Sequence, residues 1–70
     1  MIMRNYPKPI KERSGCKVSW ASYATEAEAR ECAAAARHNA QALEAEGYDF
    51  GFQTPGEINE VNGLYEVCLP

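Results

Sequence analysis

Catalytic equipment is scarce in this chain: it has one histidine and three cysteines, and neither a glycine-rich phosphate loop nor a serine elbow. An enzyme is therefore not expected. His38 follows Cys32 by a spacing that turns about 240° around a helix, so the two do not form a nucleophile and base within one chain. Also missing is the closely spaced ligand pair of a zinc site, and Cys16, Cys32 and Cys68 are odd in number with no secretory leader. No metal, cofactor or disulfide framework is expected. No apolar run is long enough for a membrane, because Arg30, Glu31, Arg37 and His38 interrupt the alanine-rich stretch short of the roughly 20 residues a span needs. The segment from Met1 to Pro7 lacks an apolar signal core, and the expectation is a cytoplasmic protein without a membrane partner.

What is present is a globular composition, since 46% hydrophobic and 24% charged residues are too apolar a mixture for a disordered chain. Seventy residues make one domain with a thin core, for which self-association, a dimer above all, is the expected staple. Charge divides unevenly: Arg4, Lys8, Lys11, Arg13 and Lys17 oppose only Glu12, whereas the remainder sets Arg30 and Arg37 against nine acids. The division predicts residues 1–14 as a basic extended arm and 15–70 as a single α+β domain. The arm is expected to lie across the acidic body of its own chain or a neighbour. Sustained nucleic-acid binding is disfavoured by that body, leaving weak binding through the arm as a lesser alternative.

Along the chain, Pro7 and Pro9 hold the arm extended and Gly15 ends it. Alternation from Cys16 to Tyr23 predicts a strand with Cys16, Val18 and Trp20 on one face and Lys17, Ser19, Ala21 and Tyr23 on the other. Thr25 and Glu28 form a capping box, and nothing breaks a helix from there to about Glu46, where Gly47 supplies a left-handed stop. Its apolar stripe of Ala29, Cys32, Ala33, Ala36, Ala40 and Leu43 consists almost wholly of small residues. A second strand is predicted over 48–53, with Tyr48, Phe50 and Phe52 on one face. Thr54-Pro55-Gly56-Glu57 suits a type II turn, residues 58–61 form an optional short strand, and Asn62-Gly63 signals a hairpin into Leu64–Leu69. The expected architecture is β-α-β-β(-β): one long helix packed on one face of an antiparallel sheet of three to four strands. Trp20, Tyr48, Phe50, Phe52 and Tyr65 are expected to fill the space opposite the alanines.

Two functional readings follow. The first is a small, acidic, homodimeric interaction protein in which Glu26, Glu28, Glu31, Glu44, Glu46, Asp49, Glu57, Glu60 and Glu66 engage a basic nucleic-acid channel on a larger macromolecule. In size and composition the chain is similar to accessory proteins of bacteriophages and mobile elements, including inhibitors of bacterial defence systems. That similarity implies a binder or inhibitor of such a target, and it extends to no family motif. The second is a binder of a small, nucleotide-like anion between protomers, with Tyr23, Arg30, Arg37 and His38 as ligand residues; Arg30 has a competing partner in Glu26 one turn away.

Overall fold

The computed structural model describes residues 3–70; the first two residues of the expected arm lie outside the described residues. Five elements follow in order: β1 (Lys11–Ser14), β2 (Ser19–Tyr23), α1 (Glu26–Ala45), β3 (Ile58–Val61) and β4 (Leu64–Leu69). The four strands form one antiparallel sheet in the order β1-β2-β4-β3, and α1 packs on one of its faces. One helix on one face of an antiparallel sheet is the expected fold class. Its strands are drawn in part from other segments, however.

Local signals explain the boundaries. The Thr25 hydroxyl accepts from the Glu28 amide at 3.3 Å and donates to the Glu28 carboxylate at 2.8 Å, which caps the first turn. At the far end the Tyr48 amide donates to the Leu43 carbonyl and the Gly47 amide to that of Glu44, with Gly47 at φ 95°: a Schellman stop. Glu57 closes the Thr54–Glu57 turn onto the Thr54 carbonyl at 3.0 Å, with Gly56 at φ 93°, and Asn62 and Gly63 take the positive φ pair of a tight hairpin.

Three expectations are corrected. Residues 48–53 are a loop beyond the helix stop, and Phe52 projects wholly into water. Residues 11–14, expected as the end of the arm, form edge strand β1, whereas the optional strand at 58–61 is present as expected. The facing of β2 is reversed, because a turn closed by the Gly15 amide on the Val18 carbonyl precedes it and the strand begins only at Ser19. Ala21 lies opposite Val67 and Tyr23 opposite Tyr65, so these residues share the helix-facing side. Trp20 points the other way, and Cys16, expected to face the core, is exposed.

The core is therefore filled by other side chains than expected. Ala29, Cys32, Ala33 and Ala36 meet Ala21, Tyr23, Val67 and Leu69, with Tyr6, Tyr65 and Ile58 packed around them. The alanine stripe admits close approach, but its bulky counterparts in this cluster are Tyr23 and Tyr6, and Phe52 takes no part in the core. A second cluster joins Ala40 of the helix to Val18, Cys68 and Phe50, so Phe50 alone of the loop aromatics is buried; Trp20, half-buried, packs with Leu43 against it.

The helix contacts β4, β2 and β3 but does not reach β1. On the flank of Ala35 and Ala42 sits Asn39, buried and bonded to the arm. Its Oδ1 accepts from the Arg4 amide at 2.7 Å, and its Nδ2 donates to the Arg4 carbonyl at 2.9 Å and to the Tyr6 hydroxyl at 2.8 Å. The Tyr23 hydroxyl donates to the Pro7 carbonyl at 2.7 Å, a second tether of the same segment. The basic arm is thus held by its main chain against the body, in agreement with the self-contact expected of it.

Candidate functional site

Two surfaces stand out by what the sequence places there: the sheet face away from α1, and the loop that follows the helix. On the sheet face, strand alternation brings Lys11 and Arg13 of β1, Trp20 and Ser22 of β2, Glu66 of β4 and Val61 of β3 to one side. The Arg13 guanidinium lies 5.1 Å from the centre of the Trp20 ring and meets Glu66 through two bonds, Nε at 3.0 Å and an Nη at 2.9 Å. The paired guanidinium holds the Glu66 carboxyl below its ordinary pKa, and the carboxylate in turn raises that of Arg13. Lys11, Arg13, Ser22, Val61 and Glu66 line an open groove of about 320 Å³.

The loop is built by its own hydrogen bonds. Asp49 Oδ1 accepts from the Gly51 amide at 2.8 Å, the Gln53 amide donates to the Phe50 carbonyl at 3.1 Å, and Gly51 takes φ 66°. The Tyr48 and Phe50 rings meet at 4.6 Å and a tilt of 49°, an arrangement that favours ring edges against faces. Across from the loop, Lys17 donates weakly to the Asp49 carbonyl at 3.5 Å, and the Tyr48 hydroxyl donates to the Lys17 carbonyl at 3.4 Å. Phe50 enters the core, whereas Phe52 has a relative exposure of 105% and Tyr48 of 44%. Cys16, Lys17, Phe50, Gly51, Phe52 and Gln53 line a shallow groove of about 350 Å³ on one side. On the other, Arg37, Gln41, Glu44, Asp49, Gln53 and Thr54 are among the residues around a groove of about 310 Å³.

Within one chain, Tyr23, Arg30 and Arg37, expected among the residues that bind an anion between protomers, are already engaged. Tyr23 is 1% exposed and occupied by the Pro7 carbonyl, a correction that follows from the reversed facing of β2. Burial drives its hydroxyl pKa upward, as the neighbouring Cys32 does further. Arg30 is paired to Glu26 at 3.0 Å, Arg37 donates to the Gly56 carbonyl at 3.2 Å, and His38 is half-buried. Of the acids expected at a partner, Glu26, Glu28, Glu31, Glu44, Glu46, Asp49, Glu57 and Glu60 are exposed, and Glu66 is engaged by Arg13. Glu26, Glu28 and Glu31 form a group in the first turns of α1 and Glu44, Glu46 and Asp49 another around its end, separated by about 20 Å of helix; Glu57 and Glu60 lie apart from both. Among the described residues, no three His, Cys, Asp or Glu side chains gather as a metal ion requires, and no helix is long and apolar enough to cross a membrane.

No family model, curated protein or solved structure matches the chain. The surfaces must then be read from their chemistry.

Sequence reasoning gave Asn39 and Arg13 no site and placed Phe52 in the core, where the structure exposes it. Asn39 had a signal, since it occupies the helical spacing of Cys32, Ala36 and Leu43, where a polar residue marks a buried, satisfied amide. Arg13 required the sheet register to meet Trp20 and Glu66. Phe52 required the knowledge that the helix stop turns the chain away from the sheet.

Proposed function

We propose that the chain is a non-enzymatic interaction protein that binds or inhibits a larger macromolecule, in the manner of a phage-type accessory or anti-defence inhibitor, and that it works as a homodimer in the cytoplasm. The observation supporting this reading is the exposure of eight carboxylates, six of them in groups at the two ends of α1, with Glu57 just before β3 and Glu60 within it beside the sheet edge. A helix about 30 Å long with acids at its two ends offers a basic channel two separated anionic contacts. The sheet face turned from α1, with Trp20, Val61 and Leu64 on it, supports a second copy as the cover.

Affinity purification at low salt with native mass spectrometry tests the reading. The expected result is a retained basic macromolecule, released as ionic strength rises, and a chain mass that is a multiple of 7.8 kDa. A monomer that retains nothing at low salt overturns it.

A further inference from the structure

Resting on the reading of the chain as an interaction protein, we propose that the loop 48–53 at the carboxyl end of α1 is a docking site for a basic amphipathic helix of a partner protein, with Phe52 as its anchor. Phe52 is the most exposed large hydrophobic side chain described, yet the loop that carries it is held in place. Phe50 is buried in the core beneath it, the Asp49 carboxylate fixes the Gly51 amide, and a turn closes from Gln53 to the Phe50 carbonyl. An aromatic displayed to water on a hydrogen-bonded loop forgoes burial in the free protein, and the ordered backbone lowers the freedom lost on binding, which is the character of an interface anchor. Tyr48, also exposed, widens the apolar surface.

Charge selects the occupant. Glu44, Glu46 and Asp49 are exposed; Glu44 and Asp49 line the groove on one side of the loop with Arg37, which is turned onto the Gly56 carbonyl, and the last turn of α1 carries no cation to offset the negative end of the helix dipole. Lys17, which lines the groove that holds Phe52, is turned onto the Asp49 carbonyl. An exposed ring on a loop that carries carboxylates along one side and at its base matches a helix whose apolar stripe is flanked by lysines or arginines, the helix-in-groove mode of recognition. The same carboxylates repel nucleic-acid phosphates and anionic lipid headgroups.

The test titrates the full, 15N-labelled chain with a helical leucine–lysine amphipathic peptide and, in parallel, with its leucine–glutamate counterpart. Expected are binding of the lysine peptide alone and amide shifts confined to residues 44–53 and the Cys16–Lys17 turn. F52A should weaken binding at least about tenfold, the loss typical of an anchor, with an unchanged unfolding midpoint because its ring is in solvent. The double variant E44Q/E46Q should weaken binding and flatten its salt dependence. Equal binding by F52A, shifts on the sheet face, equal binding of the glutamate peptide, or no binding overturns the docking site. So does Phe52-dependent binding to phosphatidylcholine vesicles in place of the peptide. A partner that co-purifies equally with F52A and the unaltered chain removes the docking site and leaves the interaction reading standing; no partner and no peptide binding removes both.

Discussion

Asn39 makes three hydrogen bonds from one buried amide, so its replacement strands polar groups and releases a segment 35 positions away in sequence. Asn39→Ala should lower stability by about 1–3 kcal/mol, the range for leaving buried polar partners unmade, as read from the urea midpoint. Proteolysis should then begin between residues 3 and 9, which the unaltered chain protects. The cysteines make a second prediction at this scale. Cys16 is exposed, while Cys32 and Cys68 are buried; burial raises both thiol pKa values, Glu57 raising that of Cys68 further. A thiol reagent at neutral pH should titrate Cys16 rapidly in the native protein and the other two only on unfolding. Fast reaction at Cys68 would place the end of β4 in solvent and contradict the core described.

At the level of elements, the turns are the points of least tolerance. Gly56 stands at φ 93°, and a Cβ there meets the Arg37 Cγ and approaches the Ala33 carbonyl at 3.1 Å. Gly56→Ala should cost about 1–3 kcal/mol in denaturant unfolding, from left-handed strain plus displacement of the Arg37 bond to the Gly56 carbonyl. Those turns were also the most legible part of the sequence, because Thr25, Gly47, Gly56 and Asn62-Gly63 act through local geometry that no distant contact overrides. Strand facing was less legible. Trp20 outweighs Ala21 in apolar character, yet the sheet buries Ala21, since a small residue is what an alanine helix can approach. Tyr48, Phe50 and Phe52 alternate as a strand would, but the Schellman stop commits the chain to a loop before any partner strand is in reach. The four residues of β1, Lys-Glu-Arg-Ser, carry no apolar period, and only pairing with β2 makes them a strand. The candidate surfaces were legible in their acids and illegible in Phe52 and Arg13, whose settings depend on those two outcomes.

For the molecule as a whole, stability should be greatest at intermediate pH, and the sign follows from the shifted groups. Glu66 is held below its ordinary 4.5 by Arg13, so the unfolded chain takes up its proton first as pH falls. The stabilisation is complete above about pH 4.5 and is lost as pH drops through the lower folded value. Thermal melts across that window should flatten in R13M, which keeps the stem over Trp20 and removes the charge. On the alkaline side, Cys32 and Cys68 lie above their ordinary 9.0, and Tyr6 and Tyr23 above 10.0. For these groups the unfolded chain ionises first, so stability should decline as pH rises past about 9. A flat melting temperature from pH 8 to 11 would contradict the burial of those four groups.

The way Asn39 holds the arm carries an evolutionary corollary. Its amide grips the peptide unit of Arg4, whose side chain takes no part in either bond. Drift at position 4 should therefore be nearly free, Arg4→Ser included, while position 39 tolerates only a carboxamide of the same reach. Together with the Tyr23 hydroxyl on the Pro7 carbonyl, this interior residue would keep the leading segment seated while that segment's own side chains vary.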